Sequence, residues 1–134
     1  MLLWKTSGKH DQLDGLINNS GIQHPKPVIV FELEDFDRVL DTNLRASFLL
    51  CREAAWQAQG SGSIINIASI MGPQAHKTIS AYHSRARVVG LNKALALELG
   101  QQGICCNGIV PVFFATELAS GPVKDPEFTS FIYG

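Results

Sequence analysis

The sequence predicts an α/β fold: a single domain over residues 1–134, with a parallel three-strand core covered by two long helices. Two observations carry this. Short apolar runs alternate with long helical patterns, in the order strand, helix, strand, helix, strand. The short runs are apolar throughout rather than at every second residue, which marks strands of a parallel sheet. A chain of 134 residues is also one-domain length.

The first strand is expected over Leu13–Ser20, closed by the polar turn Asn18-Asn19-Ser20-Gly21. Pro25 and Pro27 predict an extended loop. From Asp35 to Gln59, Phe36, Val39, Leu40, Leu44 and Phe48 fall at the spacing of one helix face. Gly60-Ser61-Gly62 stops that helix. Ser63–Ser69 reads as the second strand, and a loop with Gly72 and Pro73 follows. Val88, Leu91, Leu95 and Leu99 define the face of a second long helix, with Gly100 and Gly103 as its stops. Ile104–Val110 is the third strand, ended by Pro111. The tail from Phe113 is expected to be irregular, with a short helix near Asp125–Ile132.

Composition narrows the function. With 12 acidic against 11 basic residues, the chain carries no electrostatic footprint for nucleic acid or an anionic membrane. No apolar run approaches the roughly 20 residues of a membrane helix, and the apolar stretch at the start is too short for a secretory signal. Three cysteines, two of them adjacent at Cys105 and Cys106, build neither a disulfide framework nor a zinc spacing. A reducing cytoplasm is therefore the expected compartment. His10, His24, His76 and His83 have no metal-ligand spacing.

Ligands of such sheets bind at the carboxyl ends of the strands. Here those ends carry Asn18–Gly21, Ser69 and Pro111–Thr116, so polar groups from three loops should meet at one edge. Tyr82 follows Ser69 by thirteen residues. A phenol near a hydroxyl suits proton transfer to a carbonyl or alcohol oxygen, whereas a strand-end serine and a packing tyrosine are the plainer explanation. Asn43 lies on or near the apolar face of the first helix, where asparagine is a poor interior residue. It is either a satisfied buried amide or a holder of water in a proton relay. Gly21 allows close approach of the backbone to another group.

Together these features resemble the short-chain dehydrogenase/reductase family. LINNSGI (Leu16–Ile22) resembles its NNAG turn, and Asn43-Leu44 its helix asparagine. SIINIAS with Ser69 resembles its serine strand, and Ala81-Tyr82 stands at the family's offset from that serine. GLNKALALEL (Gly90–Leu99) resembles the helix after the tyrosine, and NGIVPVFFATEL (Asn107–Leu118) the PG-x-x-x-T segment. The texture is most similar to the gluconate 5-dehydrogenase branch. The resemblance implies a partial Rossmann-like, doubly wound fold, with the first βαβ unit and the last strand outside this chain. It implies catalytic roles for Tyr82 as general acid/base, Ser69 as the group orienting the substrate oxygen and Asn43 as a water holder. It implies cofactor contacts at Asn18, Asn19, Gly21, Pro111 and Thr116, the cofactor being NAD or NADP. A small-molecule substrate is implied, and a homo-oligomer through the helices near 35–59 and 81–101.

The sequence departs from the family in three places. No G-x-G-x-x-G turn occurs in it, so the pyrophosphate seat at a helix N-terminus is missing. The family's Tyr-x-x-x-Lys is broken: Ala86 is fourth after Tyr82, and counting back from Gly90 puts Arg85 at the lysine's place. Arg85 and Arg87 themselves read as a solvated helix face. Val112 stands where the family has glycine after Pro111. Two functions follow as expectations. One is NAD(P)-dependent interconversion of a secondary alcohol and a ketone on a sugar acid or polyol. The other is a catalytically inactive, truncated paralogue or dimerising remnant that binds no cofactor.

Overall fold

The apolar runs form three parallel strands, β1 (Gly15–Asn18), β2 (Gly62–Ile67) and β3 (Ile104–Ile109), in the spatial order β1-β2-β3. The computed structural model describes residues 13–57, 60–70, 84–111 and 130. Each strand is a little shorter than its apolar run. Register pairs Asn18 with Asn66, and Asn66 with Gly108. The β2–β3 pairing continues past the strand ends, where Ala68 N–H donates to the Ile109 carbonyl at 2.8 Å. The irregular tail, the short helix expected near 125–132 (apart from residue 130), the loop with Gly72 and Pro73, and Tyr82 lie outside the described residues.

The helix expected over 35–59 begins earlier and is not uniform. It runs as α1 (Leu33–Leu40), a π-turn (Asp41–Arg45) and α2 (Ala46–Gln57). Glu34 and Asp35 in its first turn favour the positive end of the helix dipole. A one-turn π-bulge widens the helix to fit a local demand. That demand sits at its centre, where Asn43 is buried. Ahead of α1, Val28–Val30 forms a 3-10 turn directly after the two prolines. Pro27 itself is extended, as its ring permits.

The buried face of this helix corrects the expected one. Val39 is buried, but Phe36 and Phe48 are 38% and 44% exposed. The buried stripe is Val39, Asn43, Ser47, Cys51 and Ala54, spaced by four, four, four and three residues. Small and amide side chains let α2 approach the sheet closely, which phenylalanine would prevent. Apolar periodicity alone therefore includes Phe36 and Phe48 and misses Asn43, Ser47, Cys51 and Ala54.

The second long helix, α3 (Ser84–Gly100), keeps the predicted face: Val88, Leu95 and Leu99 are buried and Leu91 is half-buried. Gly103 takes φ 77° and Gly60 φ 88°, the left-handed region that ends helices at glycine. Gly103 has a second constraint. A Cβ there would collide with the Gly60 carbonyl, so the two helix-to-strand connections touch.

Cys51 and Ala54 of α2, Leu95 and Leu99 of α3, and Ile64, Ile104 and Cys106 of the sheet form one core cluster. Both helices thus lie on the same face of the sheet. On the strands, Ile17 and Ile109 remain exposed. No helix among the described residues is long and apolar enough to cross a membrane.

This packing sets an expectation for two leucines on opposite sides of α3. Leu95→Ala should lower unfolding free energy by about 2–5 kcal/mol through loss of burial and a residual cavity. Leu97, 78% exposed, should lose less than about 0.5 kcal/mol on the same change. Urea titration followed by circular dichroism distinguishes the two.

Candidate functional site

The parallel register brings the carboxyl ends of all three strands to one edge. From β1 comes the Asn18–Gly21 turn, from β2 Ala68 and Ser69, and from β3 Pro111. Ile70 N–H donates to the Pro111 carbonyl at 3.4 Å, which holds the second and third of these segments together. Ser69 is buried beside them. The π-turn closes the fourth side. Asn43 Nδ2 donates to the Ile22 carbonyl and its Oδ1 accepts from the Ile22 N–H, each at 2.9 Å. Both halves of that amide are used on one backbone unit, which is the satisfied-amide explanation of a buried asparagine. A groove opens alongside, lined by Ile17, Ser20, Asp41, Thr42 and Ser47.

Asn18 and Asn19 separate into different environments. Asn19 is exposed, while the Asn18 side chain points inward and is buried. Asn18 Nδ2 donates to Asn66 Oδ1 at 2.8 Å and lies 3.2 Å from Cys51 Sγ. The side-chain amides of Asn66 and Asn92 meet at 2.9 Å. This places a chain of amides inside the core, directly beneath the edge. Burial pushes the Cys51 thiol up from its ordinary pKa, and does the same to Cys106. The protonated thiols favour the fold, so their contribution is full below the ordinary thiol range and is lost as pH rises through the raised values.

Arg85 corrects the expectation of a solvated helix face; Arg87 alone is exposed. Arg85 is 5% exposed. Its Nε and Nη2 donate to the Ile67 carbonyl at 3.2 and 2.9 Å, and Nη2 also donates to the Asn19 carbonyl at 3.2 Å. Gly21 sits against the guanidinium so closely that a Cβ would overlap Nη1. The group that approaches Gly21 is therefore Arg85. Sequence reading missed this because arginine on a helix is ordinarily a surface residue.

Beyond the edge, Asp35 gathers three basic side chains: His24 Nε2 at 2.9 Å, and Lys26 Nζ and Arg38 Nη2 at 3.1 Å each. The Lys26 hydrogen bond leads in holding the Asp35 carboxyl below its usual range. This clasp ties the segment after the turn to α1. No group of three or more His, Cys, Asp or Glu among the described residues could hold a metal ion. Of the expected site residues, Asn18, Asn19, Gly21, Asn43, Ser69 and Pro111 are described; Tyr82 and Thr116 lie outside the described residues.

Comparison with known proteins supplies the family. The family model described as short chain dehydrogenase matches residues 2–126. The chain belongs to that family. This short-chain dehydrogenase chain is 36% identical over 123 residues to gluconate 5-dehydrogenase of Gluconobacter oxydans, covering 90% of this chain and 48% of that protein. It is 38% identical over 111 residues to a 3-oxoacyl-(acyl-carrier-protein) reductase of Rickettsia bellii, covering 81% of this chain and 46% of that protein. A crystal structure of a gluconate 5-dehydrogenase from Burkholderia cenocepacia, in complex with NADP and tartrate, superposes with a TM-score of 0.87 at 32% identity. That match covers 95% of this chain and 51% of the other. The chain spans about half the length of the curated relatives it matches. The Rossmann-like α/β architecture is therefore that of short-chain dehydrogenases.

Two outcomes follow from this geometry. Asn43→Ala leaves the Ile22 N–H and carbonyl without their partner and should cost about 1–3 kcal/mol in a denaturant titration. Iodoacetamide at pH 8 should modify the exposed Cys105 in the native protein, while Cys51 and Cys106 react only after unfolding, as peptide mass mapping reads directly.

Proposed function

We propose that this chain carries the reacting edge of an NAD(P)-dependent oxidoreductase that interconverts a secondary alcohol and a ketone. The substrate class is a sugar acid or polyol, as for the gluconate 5-dehydrogenases it resembles. The observation that supports this most is the meeting of Ser69, Pro111, the Asn18–Gly21 turn and the Asn43–Ile22 pair at one strand edge. In this reading Tyr82 exchanges a proton with the substrate oxygen and Ser69 orients that oxygen. Asn43 has its side chain committed to Ile22, so a water held there would rest on the backbone of the π-turn. Asn19, Gly21, Pro111 and Thr116 flank the cofactor, and Asn18 acts by ordering the turn from below. The nicotinamide, when bound, gives or accepts the hydride.

The edge fits the nicotinamide half of such a cofactor. Gly21, the one glycine of the β1 turn, is already packed by Arg85. That packing favours a second reading, a catalytically inactive remnant that binds no cofactor. Under either reading the helices near 35–59 and 81–101 are the surfaces for a homo-oligomer. Phe36, Phe48, Leu49 and Leu97 are exposed apolar side chains on them that such contact would cover. A cytoplasmic location belongs to the same proposal.

The test is direct. The protein is titrated with NADH and NADPH while nicotinamide fluorescence is followed, and 5-ketogluconate is then added. The oxidoreductase reading expects saturable binding and substrate-dependent oxidation, reduced by about 100-fold or more in Tyr82→Phe. No saturation at millimolar cofactor establishes the remnant reading instead.

A further inference from the structure

Arg85 is a buried cation whose partners are unusual. Among the described residues no carboxylate reaches it, and its bonds end on the Ile67 and Asn19 carbonyls. Removing a guanidinium from water without a counter-ion is costly unless polar acceptors replace the lost hydration. The acceptors here belong to the carboxyl ends of two neighbouring strands, and Asn19 is 66 residues away in sequence. The flat, forked group bridges them, while its Nη1 side fills the space that a side chain at position 21 would need.

We propose that Arg85 is a positioning residue: it fixes the Asn19–Gly21 turn against the end of β2, and Gly21 is the residue its guanidinium requires. The proposal rests on the reading that this turn faces the ligand, and it assigns the turn's placement to one side chain of α3. Lysine could not do the same, since a single ammonium cannot span both carbonyls in a plane and lie flat on glycine. The immediate surroundings support a local role. Ile22, the residue after Gly21, is held from the other side by Asn43, so the turn is pinned between α3 and the π-turn.

The reporter is the Ile22 amide, whose N–H is bonded to Asn43 Oδ1. In Arg85→Met, hydrogen exchange at Ile22 should speed up about tenfold or more, while Leu95 and Leu99 in the same helix change by less than about twofold. A rise of equal factor at all three amides, or none at Ile22, overturns the proposal. Gly21→Ala keeps Arg85 and serves if Arg85→Met does not fold. The Arg85 Nε–H resonance should then shift and Ile22 exchange should rise, whereas an unmoved resonance overturns the proposal. In the double variant the second substitution should add little to the first; full additivity overturns the proposal as well. Where wild type binds NADPH, the dissociation constant should rise in Arg85→Met and not recover in Arg85→Lys; an unchanged constant overturns the role in positioning. Where wild type binds no NADPH, the oxidoreductase reading fails and the exchange measurements decide this proposal by themselves.

Discussion

The fold depends on a run of buried amides that crosses it from β1 to α3. Asn18 bonds Asn66, and Asn66 meets Asn92, which in turn packs on Gly108 of β3. A buried amide that loses its partner costs free energy comparable to a lost hydrogen bond plus its desolvation. The register Asn18↔Asn66↔Gly108 is the one that lines these groups up. A slip of β2 by one residue turns Asn66 to the opposite face and puts Ile65 or Ile67 in its place. Apolar packing alone would not forbid that slip, because the strands are apolar on both faces. The amides supply the discrimination that hydrophobicity lacks.

The same network explains the shape of the adjoining helix. Ser47 and Cys51 of α2 touch Asn18, so α2 must lie close to the sheet, and its buried stripe must be small. The π-turn then re-aims the helix at Asn43 so that this amide reaches Ile22. With both helices on one face, the opposite face keeps apolar strand residues such as Ile17 and Ile109 in contact with solvent. Parallel sheets ordinarily have both faces covered. The strand composition here is thus that of a doubly covered sheet, and the described residues cover one side.

What the sequence discloses follows from this division. The succession of strands and helices along the chain and the Val88–Leu99 face are legible because they follow backbone periodicity and apolar burial, two signals that need no partner to be recognised. The meeting of Asn18–Gly21, Ser69 and Pro111 is legible from topology alone, since parallel strands must end together. The buried face of α2 is not legible, because serine, cysteine and asparagine carry no apolar moment. Arg85 is not legible either. Its burial depends on carbonyls that become neighbours only when β1 and β2 pair, and no local pattern around position 85 announces them. Asn43 could be recognised as anomalous, but the identity of its partner, a backbone unit 21 residues earlier, belongs to tertiary structure.

The two residues that resist sequence reading also act on the same short segment. Asn43 grips Ile22 from the π-turn, and Arg85 grips Asn19 and packs Gly21 from α3. Between them lie the residues of the turn that emerges from the strand edge. A loop at a sheet edge would normally be the mobile part of such a fold. Here its two ends are bonded to two different helical segments, each bond made by a side chain that is itself buried. Placement of the turn is therefore decided by the interior and not by the loop's own sequence. It follows that substitutions at Asn19 or Ser20, whose side chains are exposed, should perturb the edge less than substitutions at Gly21, Asn43 or Arg85, which carry its geometry.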